Sequence, residues 1–164
     1  MRRDQREQDF TEFYLVHGGA LRRTAYLVVR DWHLAEDLTQ QGMAKLYAAW
    51  PRVRDSTRAA YARKVVVNEC LSQLRRHRPE TPMDELPDRP AHAPPTTLDL
   101  GEALALLPPR QRAIVALRFL DDLSVAEVGE LLGIADGTVK SQTARALETL
   151  RAHLPQLIAT EETR

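Results

Sequence analysis

Cysteine is almost missing from this chain: Cys70 stands alone among 164 residues. A single thiol excludes an internal disulfide and a zinc cage built on cysteines. Aromatic residues are scarce, at 5%, so a core must be built chiefly from leucine, valine and alanine. No apolar run reaches the length that spans a bilayer. The opening "MRRDQREQDF" is charged with no apolar stretch behind it, which argues against a signal peptide. No glycine loop of the phosphate-cradling kind occurs. The histidines (His17, His33, His77, His92 and His153) are scattered without metal-ligand spacing. Cys70 falls on an apolar helical face beside no evident base. These absences leave no catalytic residue, metal site or cofactor to name. They point to a cytoplasmic protein that is not an enzyme and does not insert into a membrane.

Net charge is also lacking, since 23 basic residues meet 23 acidic ones. Its distribution is uneven. Residues 1–79 hold 15 Lys and Arg against 9 Asp and Glu, a net of +6, whereas residues 80–109 hold 1 against 6, a net of −5. The basic half is where a polyanion would be held.

Proline marks the organisation. "RPETPMDELPDRPAHAPPTT", Arg78 to Thr97, contains six of the ten prolines, with acidic residues and little to bury. Proline removes backbone donors and blocks helices, so this stretch reads as a flexible tether. The chain divides accordingly into residues 1–78, a linker over 79–98, residues 99–154 and a short tail, 155–164. That tail is too short for an appended sensory domain. Twenty extended residues reach at most about 70 Å.

Both halves read as helical, because apolar residues recur at three and four rather than alternating. Phe10, Phe13, Tyr14, Leu21, Ala25 and Val28 outline a first helix or helix pair, interrupted near Gly18-Gly19. Asp31 can cap a second helix running to about Trp50, with Leu34, Leu38, Leu46 and Trp50 inward and Pro51 closing it. Ser56 opens a third, ending at Pro79. After the tether, Asp99 to Leu107 is a short helix, and Pro108-Pro109 suits the first turn of the next, which ends near Asp121. Ser124 with Glu127 forms a capping box. Asp136 can cap the last helix, through about Leu154. The fold class is therefore all-α: two small helical domains on a Pro-rich linker, the second a four-helix domain containing a helix-turn-helix.

That motif is read from "LLGIADGTVKSQTARALETLR", Leu131 to Arg151, and the helix before it. Gly129 is the small residue where two helices cross, and Gly133 turns the chain. Val128, Leu132, Ile134 and Val139 supply the apolar contacts. On the last helix Val139, Thr143, Ala146, Leu147 and Leu150 share one face. Gly137, Lys140, Ser141, Ala144, Arg145 and Glu148 lie opposite. Small residues permit close approach to base edges, and Lys140 and Arg145 can reach phosphate or guanine.

The third helix carries a second polar stripe: Tyr61, Lys64, Asn68, Ser72 and Arg75, with Arg76 and Arg78 just beyond. An aromatic ring, an amide and cations in line are what unpaired nucleic acid binds. The alternative is that Tyr61 packs into the core and the arginines solvate a helix end.

Four segments together resemble one family: "AEDLTQQGMAKLYAAW", "ARKVVVNECLSQLRRHR", "LPPRQRAIVALRFLDDLSVAEVGELLG" and "DGTVKSQTARALETLR". The sequence is similar to the extracytoplasmic-function (ECF) sigma factors of bacterial RNA polymerase, especially an actinobacterial, SigE-like branch. The resemblance implies promoter-specific transcription initiation, with core RNA polymerase and promoter DNA as partners. It implies docking on the clamp helices of the largest subunit through Glu36, Asp37, Gln40 and Gln41. Recognition at the upstream edge of the melted minus-ten element falls on the 51–58 loop, ending at Arg58, and on the helix carrying Tyr61, Arg63, Lys64, Asn68, Arg75 and Arg76. The second domain resembles the reader of the minus-thirty-five element, which also touches the polymerase flap. Thr138, Lys140, Ser141, Gln142 and Arg145 then lie at or beside DNA, Thr138 as a phosphate donor near the helix N-terminus. An anti-sigma protein is a further partner the family brings with it.

The pattern departs from the family at Gln41, where an acid is common, at Gly42, where Thr or Ser is common, and at Met43, where Phe is common. A mid-helix glycine costs about 1 kcal/mol relative to alanine, so a locally softer docking helix is expected. Gln142 replaces a frequent arginine. The competing reading is a helix-turn-helix regulator whose first domain senses a ligand or dimerises. Polymerase association separates the two.

Overall fold

The computed structural model describes residues 2–77 and 100–153, and the tether and the tail fall outside them. The chain divides into two compact units, Met1–Leu74 and Arg75–Arg164. All regular structure among the described residues is helical.

The first unit holds α1 (Arg3–Val29), α2 (Trp32–Ala49) and all but the last two residues of α3 (Arg58–Arg76), with two 3-10 turns, Trp50–Arg52 and Asp55–Thr57, between α2 and α3. The sequence predicts a break near Gly18-Gly19, but α1 runs straight through both glycines. Tertiary packing overrides the local preference: Leu21, Ala25 and Val28 are buried along one side of α1, which lies against α2. Gly18 is itself buried, with the Tyr14 ring 3.3 Å from where a Cβ would stand. The helix stops at Arg30, a left-handed residue (φ 59°) whose N–H donates to the Tyr26 carbonyl at 2.7 Å. Asp31 then caps α2 as its sequence suggests, accepting from the Leu34 N–H at 3.0 Å.

Leu38, Leu46 and Trp50 of the second helical stretch are buried, whereas Leu34 is only partly covered. Trp50 is the hub of an aromatic cluster, taking the edges of Phe10 and Phe13 at centroid distances of 5.3 and 5.5 Å. Arg58 lies over the indole face at 3.7 Å and pairs with Asp55. The third helix therefore begins two residues later than Ser56, which sits inside a 3-10 turn; Arg58, anchored on Trp50, sets the start. The described helix closes at Arg76, short of Pro79, which lies outside the described residues.

Gly42 explains itself here, and not as a soft spot. It is buried where α2 meets α3, and a Cβ would stand 2.5 Å from Val66 Cγ2 and 3.3 Å from Val66 Cα. The glycine is the condition for a close helix crossing, which the Lys45–Glu69 ion pair also bridges.

The second unit holds α4 (Leu100–Ala105), α5 (Pro109–Val115), a π-type turn over Ala116–Leu120, α6 (Val125–Leu132) and α7 (Asp136–His153). Leu104, Ile114, Leu117, Val128, Val139 and Ala146 meet in its core. Pro109 occupies the first turn of α5, where its missing N–H costs nothing. Ser124 and Glu127 form the capping box in full: the Glu127 N–H donates to Ser124 Oγ at 3.1 Å, and the Ser124 N–H donates to Glu127 Oε2 at 2.6 Å. Asp136, like Ser56, does not stand at the helix start the sequence suggests. It lies within the first turn of α7, and the first bonds, from the Thr138 and Val139 N–H groups, go to the carbonyl of Ala135. There its charge favours the positive end of the helix dipole.

Replacing Gly42 by alanine should lower the stability of the first unit. Val66 is fully buried and β-branched, so it cannot turn aside, and overpacking of this kind costs about 1–3 kcal/mol. The helix-propensity gain offsets about 1 kcal/mol of that. Urea titration should show a lowered midpoint, partly restored in the Gly42→Ala, Val66→Ala double variant.

Candidate nucleic-acid interface

The second unit places α7 by a very close approach. Gly133 adopts a left-handed conformation (φ 67°) at the end of α6, and the Ile134 N–H returns to the Gly129 carbonyl at 2.9 Å. A Cβ on Gly129 would stand 2.8 Å from the Ile134 carbonyl oxygen and 3.2 Å from Asp136 Oδ1. Backbone sits where any side chain would go. This is the crossing and turn of a helix-turn-helix, at the positions the sequence marks for them.

Val139 and Ala146 fix the inner face of α7 in the core, and Thr143, Leu147 and Leu150 are partly covered. Gly137, Lys140, Ser141, Ala144, Arg145 and Glu148 are all exposed on the far side. The helix thus offers solvent a surface of small side chains flanked by two cations, with no large apolar group. Thr138 is half-buried, and its N–H donates to the Ala135 carbonyl at 2.9 Å. Ser141 donates its hydroxyl to the Thr138 carbonyl at 3.2 Å. Gln142 stands on the flank rather than the crest: its Oε1 accepts from Gln111 Nε2 of α5 at 3.0 Å. Gln111 is a participant that sequence patterning misses, because the pairing spans 31 positions.

On α3, Ala62, Val66, Val67 and Cys70 are buried, with Ala59 and Leu74 partly so. Lys64, Arg75 and Arg76 are exposed, and Tyr61, Arg63, Asn68 and Ser72 are half-buried on the polar side. The structure therefore brings Tyr61, Lys64 and Asn68 to one stripe and keeps Tyr61 out of the core. Arg58 is the exception. Its side chain is only 12% exposed and folds onto Trp50, so it is withdrawn from the stripe because the indole face and Asp55 hold it.

A recess of about 590 Å³ opens beside Tyr61, lined also by Ala49, Arg52, Val53, Arg54 and Thr57. Arg52 and Arg54, in the 51–58 loop, bring positive charge to it. Glu36, Asp37, Gln40 and Gln41 are all exposed along α2, with Glu36 3.8 Å from Arg22.

Burial, and then the neighbouring Glu69 carboxylate, push the Cys70 thiol up to about 12, so it stays protonated and unreactive at neutral pH. Among the described residues no cluster of His, Cys, Asp or Glu could hold a metal ion, and no helix is long and apolar enough to cross a membrane.

Comparison with known proteins gives a family match in each half of the chain. Residues 13–80 match the family model for sigma-70 region 2, and residues 97–150 match sigma-70 region 4. The chain is 36% identical to an RNA polymerase sigma-E factor of Streptomyces coelicolor over 154 residues, covering 89% of this chain and 86% of that one. It is an ECF sigma factor. It is also 34% identical to the ECF RNA polymerase sigma factor SigM of Mycobacterium tuberculosis, over 91% of this chain and 76% of the relative. Among solved structures it resembles the Bartonella quintana sigma factor RpoE, determined in complex with the anti-sigma factor NepR. The TM-score is 0.71 at 27% identity, over 91% of this chain and 98% of that one. As a sigma factor the chain directs promoter-specific transcription initiation, binding core RNA polymerase and promoter DNA. The region 2 match removes the reading in which the first half is a sensing or dimerisation domain.

For this sigma factor, Gly129→Ala should displace α7 as a body, because a backbone carbonyl and not a flexible side chain occupies the space. The loss should be about 2 kcal/mol in the second unit, read as lost amide-exchange protection in α6 and α7. The region 2 helices should keep theirs.

Proposed function

We propose that this sigma factor divides its work between its two helical units, hinged by the proline-rich segment 79–98, with working domains of residues 1–78 and 99–154. The observation that carries the reading is the outward face of α7, where small residues and two cations are exposed together on a helix whose other side is locked into a core. Lys140 and Arg145 hold the DNA backbone or guanine edges of the minus-thirty-five element. Ser141 and Ala144 allow the helix axis to come close. Thr138 offers its hydroxyl to a phosphate near the helix start, and Gln142 borders the same surface.

In the first unit, Glu36, Asp37, Gln40 and Gln41 dock on the clamp helices of the polymerase largest subunit. The exposed line they form on α2 supports this. Tyr61, Arg63, Lys64, Asn68, Arg75 and Arg76 engage the upstream edge of the melted minus-ten element, the ring by stacking and the cations by phosphate pairing. Arg58 acts at one remove: stacked on Trp50, it holds the 51–58 loop against α3. The second unit also touches the polymerase flap. The chain works in the cytoplasm, performs no covalent chemistry, and is restrained by an anti-sigma protein, as the NepR-bound relative is held in its complex.

Two weak grips on one tether act as a single stronger one, through effective concentration. That arrangement separates the consequences of damage. Replacing Lys140 and Arg145 together by alanine should weaken upstream promoter binding at least tenfold, by analogy with the loss of one or two charged contacts at about 1–3 kcal/mol each. Co-purification with core polymerase should be unchanged, and its loss would contradict the division of labour. Replacing Lys64 and Asn68 by alanine should reduce permanganate reactivity of the melted region while footprints of the closed complex persist. Equal damage to both steps would count against the assignment to strand opening.

A further inference from the structure

Gly18 and Gly42 are each accounted for by a neighbour inside the chain, but Gly19 is not. A Cβ built on it would meet nothing nearer than the Arg23 guanidinium, at 3.7 Å, and its φ is not positive. A mid-helix glycine weakens a helix relative to alanine, and no contact among the described residues calls for this one. Beside it on the outer side of α1 stand Leu15 and Val16, 76% and 73% exposed. Isolated exposed apolar residues are ordinary. Here two stand together, each followed four positions later, on the same strip of the helix, by a small residue: Gly19 after Leu15 and Ala20 after Val16. Charge completes the pattern. Glu12 lies a turn before this cluster and Arg23 a turn after it, both exposed, and neither makes an ion pair or hydrogen bond among the described residues. Each stands more than a turn from the ends of α1, so the helix dipole, which acts on the first and last turns, does not explain the acid-first order.

We propose that this face of α1 is a self-association surface, through which two copies of the chain pair by antiparallel α1 helices. A two-fold axis near positions 17 and 18 makes the stretch its own complement. Leu15 of each copy lies over Gly19 of the other, Val16 over Ala20, and Glu12 meets Arg23. Two-fold symmetry forms every such contact twice. The missing side chain at Gly19 lets the helix axes approach and leaves a hole for the opposing Leu15. A parallel pairing would set Glu12 against Glu12 and Arg23 against Arg23, so charge selects the antiparallel one. The contact is a single helix face, smaller than a permanent dimer needs, so the pairing is weak and reversible.

The test is sedimentation equilibrium of the full chain from about 1 μM to 1 mM. The average mass should rise from one chain toward two and not beyond. Leu15→Glu should weaken pairing at least tenfold, because an apolar contact is lost at two symmetric places. Gly19→Met should do the same by filling the hole, while raising the melting temperature of the monomer, since methionine is the better helix former. A glycine that served only the fold would leave the mass untouched. Glu12→Arg and Arg23→Glu should each weaken pairing about tenfold, through two lost ion pairs and two new repulsions. Mixed in equal amounts, these two variants should pair with each other as well as the wild-type chain does, because every cation then faces an acid. Phe119→Glu, which removes exposed apolar surface from the second unit, should change nothing. A chain that stays monomeric throughout, grows beyond two copies, or pairs regardless of Leu15 and Gly19 overturns the proposal. So does loss of pairing in Phe119→Glu, or a mixture of the two charge variants no heavier than its parts.

Discussion

The second unit depends on one distance: the Ile134 carbonyl oxygen stands 2.8 Å from where a side chain on Gly129 would begin. That approach brings α7 across α6 closely enough for Val139 to be fully buried, and burial of Val139 and Ala146 fixes the rotation of the helix. Rotation decides which residues face outward. Lys140, Ser141 and Arg145 are exposed because the opposite side is committed to the core. The first unit uses the same device at another place. Gly42 admits Val66 between α2 and α3, and the polar side of α3 is set by the burial of Val66, Val67 and Cys70.

Electrostatics then sets where the first unit carries its charge. Basic charge gathers on α3 and on the loop before it, where Arg52 and Arg54 flank a recess beside Tyr61. Not every arginine there is free to meet a polyanion. Arg58 is drawn into the protein by the indole face of Trp50 and by Asp55. A cation over a shielded aromatic face is stabilised by about 0.5–2 kcal/mol, and here it ties the loop to the hub of the first unit. Counting arginines thus overstates the positive charge that the first unit offers to solvent, and the geometry of the aromatic cluster corrects the count.

What was legible in the sequence was largely local. Asp31, the Ser124–Glu127 box, Pro109 and Gly133 act within four residues of themselves, and each stands where its chemistry says it should, as do the small residue Gly129 and the two faces of α7. The misreadings share a cause. Gly18-Gly19 looks like a break because propensity is local, whereas α1 is held by contacts with α2. Gly42 looks soft in isolation and proves to be a contact point with a residue 24 positions away. The inward turn of Arg58 and the pairing of Gln111 with Gln142 are likewise tertiary. Ser56 and Asp136 missed by a residue or two, since a 3-10 turn and a helix start share the same early hydrogen bonds.

Both tryptophans of the chain, Trp32 and Trp50, belong to the first unit. One is half exposed and stacked flat on Tyr26 at 4.2 Å, and the other is sealed among phenylalanines. Indole emission from this molecule therefore originates in its first half. An optical melt followed by emission thus reads the surroundings of two side chains in region 2, whereas far-ultraviolet dichroism reads the helices of both halves.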